Sequence, residues 1–190
     1  MHHLDGRADT SCTLGFVFGG KFESGAPDGQ QHVALAGHCG AKGDEIQTLD
    51  GKPIGHIVVT TYDEKNQNTQ DTALASLYDG VRVDSRIPDV GTASRLTSLA
   101  DIHRTKPVLC KLGGTTALTC GPIVQRDDTP TPMVTFAARS EQGDSGSPVW
   151  TYGNDGQVLV VGTLSGGPTP DLTWVEPIEK HFQEWDLTLP

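Results

Sequence analysis

The chain has 190 residues, 20% of them charged, with 23 glycines, 12 prolines and a formal charge of −10. That length makes one compact unit with a sizeable core, and an acidic surface repels the phosphates of nucleic acid, which argues against that partner. No apolar run approaches the ~18 residues that a membrane span needs, and no tandem repeat or low-complexity tract stands out.

In chain order, residues 1–10 are polar and lack the apolar segment of a secretory signal. They are expected to be flexible or a remnant of expression, and His2-His3 has no third ligand at a metal-site spacing. Strands are predicted over residues 14–18, 31–35, 54–61, 72–77, 108–112, 119–124, 133–136, 147–150, 158–164 and 172–175. Turn signals at Pro27-Asp28-Gly29, Asp50-Gly51, Asp79-Gly80 and Gly153-Asn154-Asp155-Gly156 separate them. Residues 179–185, after Pro177, read as a short closing helix. Ten short strands with little helix predict an all-β barrel architecture.

Four cysteines, Cys12, Cys39, Cys110 and Cys120, occur without a Cys-x-x-Cys spacing. An even count without metal-ligand spacing favours two disulfides and an extracytoplasmic location over four reduced thiols. Three pairings are arithmetically open.

The chemistry concentrates in Gly143-Asp144-Ser145-Gly146-Ser147-Pro148, which leads into Val149-Trp150. A serine between two glycines sits on a tight turn where backbone approaches a substrate closely. Ser145 is a candidate nucleophile, and the amides of Gly143 and Ser145 can cradle the oxyanion of an acyl-transfer intermediate. Taken alone, the hexapeptide also reads as a plain turn between strands. A serine hydroxyl needs a base. Upstream, Ala36-Gly37-His38-Cys39 supplies a histidine, and Asp71-Thr72-Ala73-Leu74 supplies an acid to orient it. The order His38, Asp71, Ser145 is that of chymotrypsin-type enzymes, not of subtilisins or α/β-hydrolases.

With Cys12-Thr13-Leu14-Gly15-Phe16 near the start, these motifs resemble the chymotrypsin-fold serine endopeptidases, in particular the short secreted bacterial branch of streptogrisin and α-lytic protease type. Cys110-Lys111-Leu112-Gly113-Gly114-Thr115-Thr116, closing at Cys120-Gly121, and Gly162-Thr163-Leu164-Ser165-Gly166-Gly167 extend the likeness to about residue 178. The resemblance implies two packed six-stranded antiparallel β-barrels with a short C-terminal helix. Residues 1–100 would carry His38 and Asp71, and residues 101–190 Ser145 and the specificity pocket. It selects the pairings Cys12–Cys39 and Cys110–Cys120. It implies a buried ion pair between Asp144 and Lys111, whose competing reading is a solvated surface lysine. Ser165 would back Asp71 by its hydroxyl, and Ser165-Gly166-Gly167 would bind an extended peptide as an added strand. Neither cofactor nor metal is called for, and the expected form is a monomer acting on polypeptides outside the cytoplasm.

Arg139, Ser140 and Gln142 are expected at the primary pocket, with 164–167 and 172–175 as further walls. Arg139 reads either as selecting an acidic side chain or as pointing to solvent. Glutamate-specific relatives usually carry a histidine where Leu164 stands, which argues against acidic selection. The pocket-wall cysteine pair of the family is missing, and Ser147 replaces its glycine. The competing functional class is a non-catalytic or zymogen-like binding module on the same fold.

Overall fold

The computed structural model describes residues 2–5, 7–20, 22, 29–65, 70–130 and 132–190, with backbone alone up to residue 10. Sixteen strands and two helices appear among them. The strands are β1 (His2–Asp5), β2 (Arg7–Ser11), β3 (Val17–Gly20), β4 (His32–Ala36), β5 (Glu45–Gln47), β6 (Pro53–Thr60), β7 (Thr72–Leu77), β8 (Arg86–Ile87) and β9 (Gly91–Leu96). After α1 (Leu99–Thr105) come β10 (Leu109–Gly113), β11 (Ala117–Gly121), β12 (Val134–Phe136), β13 (Pro148–Tyr152), β14 (Val158–Thr169) and β15 (Leu172–Pro177). Helix α2 (Glu179–Glu184) and β16 (Leu187–Thr188) close the chain.

One sheet runs β16-β3-β4-β7-β6-β5-β1-β2; the other runs β11-β10-β13-β14-β15-β12, with β9 beside β14 and β8 beside β9. Each sheet is thus an expected six-stranded body with two added strands, the β1–β2 hairpin in one and β8–β9 in the other. The all-β expectation holds. The hairpin replaces the flexible extension expected for the first ten residues: His2 and His3 pair with Gln47 and Ile46 of β5. Of the turn expected at Pro27-Asp28-Gly29, Pro27 and Asp28 lie outside the described residues.

Period-two alternation explains how the sheets meet. On β4, Val33 and Leu35 enter the core of the first sheet, whereas Ala34 faces the second. On β7, Ala73 and Ala75 point inward and Leu74 points across. The second sheet does likewise: Val149 and Val161 fill its own core, while Trp150 and Val160 join Phe16, Phe18 and Leu74 between the sheets. These strands are buried on both sides, which is why they read as continuous apolar runs. The C-terminus ties the halves together, since β16 pairs with β3 and Phe182 of α2 packs edge-on against Phe18.

Both expected disulfides are formed, Cys12–Cys39 and Cys110–Cys120. The first bridges a sequence separation of 27 residues. Replacing Cys12 and Cys39 together by serine should lower stability by about 2–4 kcal/mol. A urea titration would read this as a lower midpoint, with a steeper slope because the denatured chain without the bridge exposes more surface; an unmoved midpoint would contradict it.

Candidate active site

His38 sits in a single 3-10 turn, Gly37–Cys39, directly after β4, with Cys39 bonded to Cys12 beside it. Asp71 precedes β7, the antiparallel neighbour of β4, and the register Ala36↔Thr72 brings the two residues together. The buried Asp71 carboxylate is satisfied by three donors. His38 donates its backbone amide to Oδ1 at 2.7 Å, and its ring Nδ1 lies 2.7 Å from Oδ2. Ser165 Oγ donates to Oδ2 as well. A carboxylate only accepts, so Nδ1 carries the proton and Nε2 is left as an acceptor, the tautomer a general base requires.

Ser145 comes from the other sheet. Gly143 and Gly146 hold φ of 98° and 86°, values that disfavour any side chain. A Cβ on Gly146 would also stand 2.4 Å from the Thr13 carbonyl, 3.1 Å from Ala36 N and 3.3 Å from Leu35 Cα. The serine turn therefore rests against the end of the strand that delivers His38. Inside this turn the amides of Asp144, Gly146 and Ser147 donate to Glu141, Leu164 and Asp144 carbonyls. Those of Gly143 and Ser145 have no acceptor among the described residues, so two donors of the turn stay free. Ser145 Oγ makes no hydrogen bond to His38 there either, a contact that ligand-free sites often leave long.

The turn is held from behind by Asp144, fully buried with Lys111. Its carboxylate accepts from the amides of Thr115 (2.8 Å), Thr116 (3.1 Å) and Glu141 (3.0 Å), from Thr116 Oγ1 (2.6 Å) and from Lys111 Nζ (3.1 Å). Desolvation opposes the negative charge, but the hydrogen bonds from Thr116, Glu141 and Thr115 outweigh it and hold this carboxyl below the usual carboxylate range. On Lys111 the balance reverses: desolvation outweighs the bond and attraction to Asp144, so the ammonium sits below the ordinary lysine value. The two directions agree once the donors are counted, because most of the stabilisation of Asp144 comes from neutral groups.

Thr13 is a residue that sequence reading missed as a site element. Its amide donates to the Ser145 carbonyl at 2.8 Å and its Oγ1 to the Gly143 carbonyl at 2.7 Å. The N-terminal segment thus clamps the turn at both ends of Gly143–Ser145.

Beside Ser145 opens a cavity of about 560 Å³ lined by Ser140, Glu141, Gln142, Leu164, Gly166, Gly167 and the 168–170 segment. Thr173 Oγ1 lies 2.8 Å from the Ala138 carbonyl and 2.9 Å from Ser140 Oγ. Arg139 does not line this cavity: its exposed guanidinium is paired with Glu141 two residues on, so opposite charge nearby draws it to solvent. Of the wall expected from residues 172–175, none lines the cavity; the preceding residues Pro168, Thr169 and Pro170, at the end of β14 and the turn after it, do. On β14 the pairing with β13 stops at Thr163, with Leu164 bonded to Ser147, so from Ser165 onward this edge carries no strand among the described residues.

No protein-family model matches the chain. The fold of Thermobifida fusca protease A superposes with a TM-score of 0.70 at 22% identity, covering 99% of this chain and 95% of that one. Cellulomonas bogoriensis chymotrypsin gives 0.70 at 21%, over 100% and 95%. A glutamic acid-specific serine protease, described as binding substrate through a histidine triad, gives 0.70 at 18%, over 100% and 97%. The chain has the chymotrypsin-type fold of bacterial serine proteases. In sequence it is 27% identical to the uncharacterized protein Rv1815 of Mycobacterium tuberculosis, over 93% of this chain and 79% of that protein. Among the described residues no helix is long and apolar enough to cross a membrane.

Proposed function

We propose that this protein is a serine endopeptidase of the chymotrypsin type, working on polypeptides outside the cytoplasm as a monomer. The observation that carries the reading is the His38–Asp71 pair, fixed in the tautomer of a base, next to a serine turn with two unused amides. In this mechanism His38 Nε2 takes the Ser145 proton as Oγ attacks the scissile carbonyl, and the Gly143 and Ser145 amides hold the oxyanion. The imidazolium then protonates the leaving amine, and water, deprotonated by His38, releases the acyl group. Residues 1–100 contribute base and acid, residues 101–190 nucleophile and pocket. The free edge of Ser165-Gly166-Gly167 takes the substrate backbone as a strand. Glu141, the charged residue of the lining, is paired with Arg139, and Ser140, Gln142, Gly166 and Gly167 are neutral, so the cavity offers no unpaired charge and suits an uncharged side chain. The two disulfides favour an oxidising compartment.

One observation favours the competing reading of a non-catalytic or zymogen-like module, namely the missing Ser145–His38 hydrogen bond. Labelling with a fluorophosphonate probe, followed by mass spectrometry, separates the two. The expected result is an adduct on Ser145 that is lost in Ser145→Ala and His38→Ala. A folded, disulfide-intact protein that takes no label would sink the protease reading.

A further inference from the structure

Behind Asp71, on the side away from His38, lies a second buried acid that the proposed mechanism leaves unused. Glu176, at the end of β15, is fully buried and reaches from the second sheet to the first, where its Oε2 accepts the backbone amide of Asp71. Its other oxygen, Oε1, stands 3.6 Å from His181 Nε2, and neither atom has a hydrogen-bond partner among the described residues. His181, buried on α2, turns Nδ1 to Glu184 Oε2 at 3.3 Å and stacks on Trp185 with ring centroids 4.5 Å apart. Both ring nitrogens thus face carboxylates. The same helix touches the neighbouring residue, since Lys180 Nζ lies 3.4 Å from Gln70 Oε1.

Burying a carboxylate is costly unless it is paired and hydrogen-bonded. Here its one hydrogen bond goes to the residue that orients the base. We propose that Glu176 is a positioning residue: by accepting the Asp71 amide it fixes the backbone from which the Asp71 carboxylate reaches His38, and His181 holds Glu176 in place. The C-terminal segment, from β15 through α2, thereby sets the geometry of a pair built on the other sheet. The consequence for turnover rests on the protease reading; the consequence for His38 does not.

What matters in this proposal is an acceptor oxygen at the right reach, not a charge. Glu176→Gln keeps that reach without the charge, whereas Glu176→Asp keeps the charge beside His181 and withdraws the oxygen by one methylene. Two readouts rank them: the rate of Ser145 phosphonylation, and the low-field proton resonance of the His38 Nδ1–H bonded to Asp71. Glu176→Gln should label within about threefold of wild type and keep the resonance. Glu176→Asp should label on the order of 10- to 100-fold more slowly, as small misplacements of reacting groups do, with the resonance shifted or broadened. The reverse order, Asp like wild type and Gln impaired, would make Glu176 a charge partner for His181 and overturn the proposal. Equal behaviour of both variants and wild type would overturn it too. If wild-type protein takes no label, the protease reading fails, and the resonance alone still ranks the variants.

Discussion

Asp71→Asn should lower kcat at neutral pH by about 10⁴-fold while leaving the protein folded. The carboxylate now accepts from the His38 amide, from His38 Nδ1 and from Ser165 Oγ. An asparagine side chain has one oxygen and one NH2 group. If its oxygen takes the His38 amide, the NH2 faces Nδ1, which must then become the acceptor. The imidazole proton moves to Nε2, and the atom that should receive the Ser145 proton already carries one. The defect is a wrong tautomer, not a lost contact, so substrate binding should change little. Steady-state kinetics on a peptide amide would show it as a fall in kcat with KM nearly constant. Activity within tenfold of wild type would mean that Asp71 does not orient the base.

The parts of this site that the sequence made legible are those in which local chemistry and position coincide. The glycines around Ser145 mark a turn because their positive φ excludes side chains, and His38 and Asp71 each end or begin a run of small apolar residues. Such runs form strands buried on both faces, and a site at a strand end is easy to foresee. Other elements were hidden for physical reasons. The β1–β2 hairpin is mostly polar, with Leu4 and Ala8 its apolar residues, and pairing with β5 makes it a strand, not its own periodicity. Glu176 stands 105 residues from the amide it accepts, so no spacing in the chain announces it. Thr13 is likewise an ordinary hydroxyl until the Ser145 turn folds against it. Two features left usable signals. Ser98-Leu99-Ala100-Asp101 is a capping pattern, and Ser98 Oγ does accept the Asp101 amide at 3.0 Å at the start of α1. Arg139 and Glu141, two apart on an exposed segment, could have been read as partners.

Lys111→Met should destabilise the protein by about 3–5 kcal/mol, since it leaves the Asp144 carboxylate buried without its cation. For a chain of this size that is a fall in Tm of roughly 6–20 °C. Two further arms test the cause. Removing the acid as well, in Lys111→Met with Asp144→Leu, should not restore stability, because the amides of Thr115, Thr116 and Glu141 would then be buried without an acceptor. Full recovery in the double variant would mean that the pair is dispensable and that the amides lose nothing without their acceptor. The pH dependence supplies the other arm. Asp144 has its carboxyl held below the usual carboxylate range in the folded state. Its contribution is therefore fully present above the ordinary unfolded value near ~3.9 and is lost as pH falls through the lowered folded value. Lys111 is shifted below the ordinary lysine value, so below that lowered value its charge costs stability. Between the lowered value and the ordinary one the unfolded chain binds more protons, and stability rises with pH. Melting curves of wild type should thus drop on the acid side with no alkaline loss from this pair. In Lys111→Met the acid-side drop should be shallower, because protonating Asp144 relieves an uncompensated buried charge. Since Asp144 anchors the turn that carries Ser145, labelling of Ser145 in Lys111→Met should decline together with stability, not independently of it.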